Sequence, residues 1–102
     1  MLLEIAEIDV RPGSEPAFAQ AMRGEGVGLL ASCDGVISVQ FGQGVEHASR
    51  FAFNVVWTSL AAHEAARKLE AFARFRSLFG DLAIGGTMHH FEMDAPVAGT
   101  SA

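Results

Sequence analysis

Residues 50–57, RFAFNVVW, restrict the fold more than any other stretch of the chain. Alternation along a strand sends Phe51, Phe53, Val55 and Trp57 to one side and Ala52, Asn54 and Val56 to the other. Both sides are mostly apolar. An antiparallel sheet with helices on one face and water on the other should alternate cleanly between apolar and polar, so the second side of this strand needs a cover. At 102 residues, half of them apolar, the chain has material for one core and no spare element to provide that cover. Large exposed apolar surfaces mark association sites, and two-fold dimers are the commonest oligomers. The pattern predicts a homodimer.

The remaining segments supply the order of elements. LLEIAEIDV (2–10) alternates imperfectly between apolar and charged residues and is rich in Ile, Leu and Val, which predicts a strand ended by Arg11-Pro12-Gly13. Ser14 offers a hydroxyl to the free amides of a helix start, and Phe18, Met22 and Leu29 recur at helical intervals to about residue 32. Asp34-Gly35 reads as a turn. VISVQFG then places Ile37, Val39 and Phe41 on one face of a second strand, hairpin-paired with 50–57. Thr58 or Ser59 can cap a second helical region whose period runs through Leu69, Phe72, Phe75 and Phe79 to Gly80. A loop ending in Gly85-Gly86 leads into TMHHFEM as the last strand. The expected domain is 1–94, and 95–102 is expected to be a flexible tail with too little large apolar content to pack. The fold class is α+β: a ferredoxin-like βαββαβ order, with a four-stranded antiparallel sheet carrying both helices on one face.

Charge and cysteine content exclude several functions. Twelve acidic against seven basic residues give a net charge of −5, which would repel a phosphate backbone, so nucleic acid is not an expected partner. No run approaches the roughly twenty apolar residues that cross a bilayer, so a membrane is not expected either. A single cysteine, Cys33, forms no internal disulfide and fits a reducing compartment. The first residues lack a basic leader followed by an apolar run, and cytoplasm is the expected location.

Several segments together resemble the antibiotic biosynthesis monooxygenase family, a branch of the dimeric α+β barrel proteins. They are the strand ending in Arg11-Pro12-Gly13, the strand ending in Trp57-Thr58-Ser59, the helix segment Leu60-Ala61-Ala62-His63-Glu64-Ala65, the run from Phe72 to Phe79, and the closing His90-Phe91-Glu92. The resemblance spans about residues 2–94. It implies two sheets packed as a barrel across a homodimer, and a ligand cavity between sheet and helices in each subunit. The family includes cofactor-free oxygenases of polycyclic phenols, haem-degrading enzymes and quinol oxygenases, and fold alone does not choose among them. At the positions that the haem-degrading branch fills with Asn, Trp and His, this chain carries Ala6, Ala66 and Phe75. Phe75 cannot ligate iron. Asn54 and Trp57 resemble the Asn and Trp of the cofactor-free oxygenases, but they stand three apart rather than four, and so face opposite sides of a regular strand.

Each candidate residue has a plain structural role beside its chemical one. Asn54 interrupts an apolar strand and must find hydrogen-bond partners wherever it is buried. Trp57 can clamp an aromatic ligand or fill core. His63 can exchange protons near neutral pH, although histidines on helices more often pack or face water. His89 and His90 point to opposite faces and cannot grip one metal together, so no metal site is expected; His90 is the better candidate for the cavity, and His47 sits in a Gly-rich loop. Gly24, Gly26 and Gly28 lack the strand-turn-helix setting of a phosphate cradle, and a kink or close helix packing explains them better. Phe72, Phe75 and Phe79 are core residues that can double as cavity walls.

These residues predict a cofactor-independent monooxygenase, or a quinol oxygenase, acting on a small aromatic or polycyclic molecule. His63 or His90 would serve as base, Asn54 as a hydrogen-bond donor, and Trp57, Phe72, Phe75 and Phe79 as walls. The alternative is a non-catalytic homodimeric module that binds a small apolar ligand.

Overall fold

The computed structural model of the chain describes residues 1–101. Strand β1 (Leu2–Val10) leads into helix α1 (Glu15–Ala21), a π-helical turn (Met22–Gly26) and helix α2 (Val27–Ala31). Strands β2 (Val36–Gln43) and β3 (Arg50–Trp57) follow, then helices α3 (Leu60–Ala66) and α4 (Glu70–Ser77), and finally strand β4 (Ala83–Glu92). All pairings are antiparallel and the sheet order is β2-β3-β1-β4, the split arrangement expected from the sequence. No helix among the described residues is long and apolar enough to cross a membrane.

The inward side of β3 anchors the core, with Phe51, Phe53, Val55 and Trp57 all buried beneath the helices. Phe18 packs on Phe51 at 5.0 Å and on Phe79 at 5.5 Å between ring centroids, and Phe53 meets Phe75 edge-on at 5.4 Å. Such aromatic pairs contribute about 0.5–1.5 kcal/mol each beyond their buried area. Leu3, Ile5, Ala52 and Val56 share the opposite face with Asn54 and Phe91, and no element of the described chain packs there as a layer. Phe91 remains 46% exposed.

Several local expectations need correction. Ser14 makes no side-chain cap; its carbonyl accepts from Phe18, and the Glu15 carboxylate takes the Gly13 amide at 2.7 Å. The π turn adds a residue to the first helical stretch, which moves the inward position from Leu29 to the buried Leu30. On β2 a bulge between Val36 and Ser38 throws Ile37 outward, 63% exposed, so Val36 rather than Ile37 shares the inner face with Val39 and Phe41. The second helical region breaks between Ala66 and Glu70; Ser59 caps its first half, accepting from the Ala62 amide at 3.0 Å.

Gly85 and Gly86 belong to β4 rather than to the loop before it, opposite Asp9 and Ile8. A Cβ on Gly86 would collide with the Glu7 carbonyl, so the close approach of two backbones, not a turn, requires glycine here. Gly35 does serve a turn: its φ of +91° is left-handed, and a Cβ there would meet the Ala62 side chain.

Candidate functional site

Strand parity places one acid among apolar neighbours. Glu4 lies on the inward side of β1 with Leu2, Ala6, Ile8 and Val10, whereas Glu7 and Asp9 lie on the outward side. Glu4 is 7% exposed, so its carboxylate must be compensated from within the protein. Trp57, at the end of β3, donates its indole N–H to Glu4 Oε1 at 3.0 Å. Helix α3, started by the Ser59 cap, delivers His63 beside the same oxygen, with Nδ1 3.1 Å away. Strand β4 pairs His90 with Glu4 across the sheet and sets its Nε2 3.5 Å from Oε1.

One carboxylate oxygen thus gathers an indole and two imidazoles from three other elements. The imidazole rings lie 4.4 Å apart between centroids, and the Trp57 ring stands edge-on to His63 at 5.1 Å. His63 is 4% exposed. Neither His63 Nδ1 nor His90 Nε2 completes a hydrogen bond, although both atoms are buried. A buried polar atom left unmatched costs about 1–3 kcal/mol, so the two orphaned nitrogens are an unusual expense for a small domain. Burial pushes the His63 imidazole below its ordinary pKa, while the Glu4 carboxylate pulls it upward and His90 and Arg67 add to the lowering.

A pocket of about 420 Å³ opens onto this cluster at Glu4. It lies between β1 and β4 on one side and the α3–α4 region on the other, and Phe53, Phe72, Phe75 and Phe79 form its apolar walls. Arg67 and Arg76 stand on the lining as the charged donors. The volume lies within the range of sites that enclose a small organic ligand. An apolar enclosure with a few convergent polar groups can hold an aromatic molecule and exchange a hydrogen bond or a proton with a hydroxyl on it.

The candidate residues divide in space. Phe72, Phe75 and Phe79 line the pocket together with Glu4, whereas His63 and His90 do not line it and adjoin it only through Glu4. Trp57 is buried behind that carboxylate and does not line the pocket. Asn54 pairs with Ile5 and Gln40 on the opposite face of the sheet, so it cannot act in one pocket with the histidines. His89 shares that opposite face, opposite Ile5. Glu4, which sequence reasoning passed over, is the hub. Its signal was available, because it is the one charged residue at the inward parity of β1.

The fold and the site together define a small α+β domain with its pocket between sheet and helices. The antibiotic biosynthesis monooxygenase family model matches residues 1–78, and the chain belongs to that family. A Bordetella bronchiseptica protein provisionally named an antibiotic biosynthesis monooxygenase superposes with a TM-score of 0.83 at 25% identity, covering 92% of this chain and 97% of its own. A similarly named protein from Deinococcus radiodurans gives 0.80 at 11% identity, covering 99% and 100%. Another from Nitrosomonas europaea gives 0.78 at 15%, covering 91% and 98%. The last two similarities concern the fold alone. No curated protein matches the chain.

Proposed function

We propose that this chain is a small monooxygenase that takes an electron-rich aromatic substrate, a phenol or quinol, into the pocket between sheet and helices. The observation that carries the reading is the phenylalanine-walled pocket that counts the buried Glu4 among its lining residues. Phe72, Phe75 and Phe79 hold the rings, and Glu4, with His63 and His90 against it, receives the substrate hydroxyl. Such substrates are themselves reducing once deprotonated, so the protein's task is to orient them, exclude water and take up the hydroxyl proton, here on Glu4 or the histidines against it. Trp57 positions Glu4 and does not touch substrate. Asn54 has no part in this site.

Oxygen uptake with model anthrones and quinols tests the proposal. The expected result is consumption of oxygen by the wild-type protein, with a KM raised by Phe75→Leu and turnover lost in Glu4→Gln. Tight binding of the aromatic without oxygen uptake would transfer the chain to the non-catalytic, ligand-binding alternative.

We also propose that two copies pair through the sheet faces that bear Leu3, Ile5, Ala52, Val56 and Phe91. Membership in the family supports this, as does the apolar character of a face that the described chain leaves without a layer. Glu4, His63 and His90 lie on the other side of the sheet, so each subunit carries its own centre.

A further inference from the structure

We infer that Glu4, His63 and His90 form a binding site for one first-row divalent transition-metal ion, of the zinc or ferrous type. The inference shares its residues with the proposed oxygenase site but does not rest on that activity. Three side chains from β1, α3 and β4 bring one ligand atom each to within 4.8 Å of one another. Among the described residues this is the group of His, Cys, Asp and Glu side chains so arranged.

Both spacings from the carboxylate oxygen match what an ion requires. With metal–ligand bonds of about 2.1 Å, neighbouring donor atoms stand roughly 3.0 Å apart at right angles and roughly 3.4 Å apart in a tetrahedron. Here Glu4 Oε1 lies 3.1 Å from His63 Nδ1 and 3.5 Å from His90 Nε2. Imidazole N–H groups bonded to the carboxylate do not account for the cluster, since both nitrogens are buried and neither makes a hydrogen bond. Two buried ring nitrogens without a partner, gathered beside one carboxylate oxygen, are groups that a bound cation would satisfy. Two imidazoles and one carboxylate suit zinc and non-haem iron, and leave further coordination positions open.

The surroundings have the character of a supported metal site. Trp57 donates to Glu4 Oε1 from behind, which fixes the carboxylate while its remaining lone pairs stay free. The sequence argument against a metal applies to His89 with His90, which do face opposite sides; His63 takes the second imidazole position from a different element.

The test uses the full chain, stripped with a chelator and dialysed, then titrated with Zn²⁺ by calorimetry and with Co²⁺ by visible absorption. One ion per chain is expected, with Co²⁺ giving ligand-field bands and Zn²⁺ shifting the ring-nitrogen resonances of His63 and His90. His90→Gln, on a side chain 22% exposed and thus tolerant of change, should weaken binding by more than about 100-fold. Trp57→Phe should weaken it by roughly 10-fold to 100-fold through the lost support of Glu4. His89→Gln should leave it unchanged. Absence of saturable binding in the wild-type protein would overturn the inference, as would ring shifts confined to His47 or His89, or equal affinity in a folded His90→Gln. Ion binding is read without substrate, so a protein that binds Zn²⁺ yet takes up no oxygen would refute the oxygenase reading alone.

Discussion

The hydrogen bond from Trp57 to Glu4 offers the sharpest quantitative test of the site. Both residues are buried, at 1% and 7% exposure, so no solvent molecule can readily replace a lost donor. Trp57→Phe keeps an aromatic ring beside His63 but removes the N–H that reaches Glu4 Oε1 at 3.0 Å. A hydrogen bond to a charged group contributes about 1.5–3 kcal/mol, and the smaller ring adds a packing loss of about 1 kcal/mol. For a domain of this size each kcal/mol moves Tm by roughly 4–8 °C, so a fall of at least about 10 °C is expected in the metal-free protein. A double-mutant cycle with Glu4→Met separates the bond from the packing. Urea unfolding of the four proteins should return a coupling of about 1.5–3 kcal/mol. A coupling below about 0.5 kcal/mol would mean that the indole and the carboxylate act independently, and the picture of Glu4 as a hub would be wrong.

Three further outcomes follow from particular contacts. Gly86→Ala should destabilise the domain by about 1–3 kcal/mol, because the new methyl meets the Glu7 backbone; an unchanged melting temperature would contradict the close approach of β1 and β4. Burial, and secondarily Asp34, raises the Cys33 thiol above its ordinary pKa, so alkylation at pH 8 should be far slower in the native than in the unfolded protein. By linkage this raised value favours the folded state below the unfolded thiol pKa and loses that contribution as pH climbs through the folded one; equal alkylation rates would refute the assignment. Val56→Glu places a charge in the open sheet face, and light scattering should show a dimer converted to a folded monomer; a wild-type chain that is monomeric at micromolar concentration would remove the pairing proposal.

The architecture was legible where period and propensity agreed. The phenylalanine side of β3, a cap at Thr58 or Ser59 and the opposite facing of His89 and His90 all follow from local pattern, and the structure has each of them, with Ser59 as the cap. What escaped depends on pairing between distant segments. The bulge at Ile37 exists only relative to β3, and one extra residue reverses which side chains face inward. Gly85 and Gly86 look like a loop because glycine weakens an isolated strand, yet the nearness of the Glu7 carbonyl makes glycine the residue that fits. The π turn shifts the helix face by one position, again through packing rather than propensity. In the site, the histidines and the phenylalanine wall could be nominated from residue type, but their convergence on Glu4 could not. Asn54 drew notice as a polar residue in an apolar strand, and the register shows that it looks away from the pocket.

A single oxygen atom on the first strand is the meeting point of the end of the third strand, a helix and the final strand. Such long sequence separations mean that the centre cannot exist in any early, locally folded intermediate. It assembles only when the closing strand docks, so a ribosome-bound or truncated chain would present a sheet and helices without the completed cluster. The cluster is thereby tied to completion of the fold.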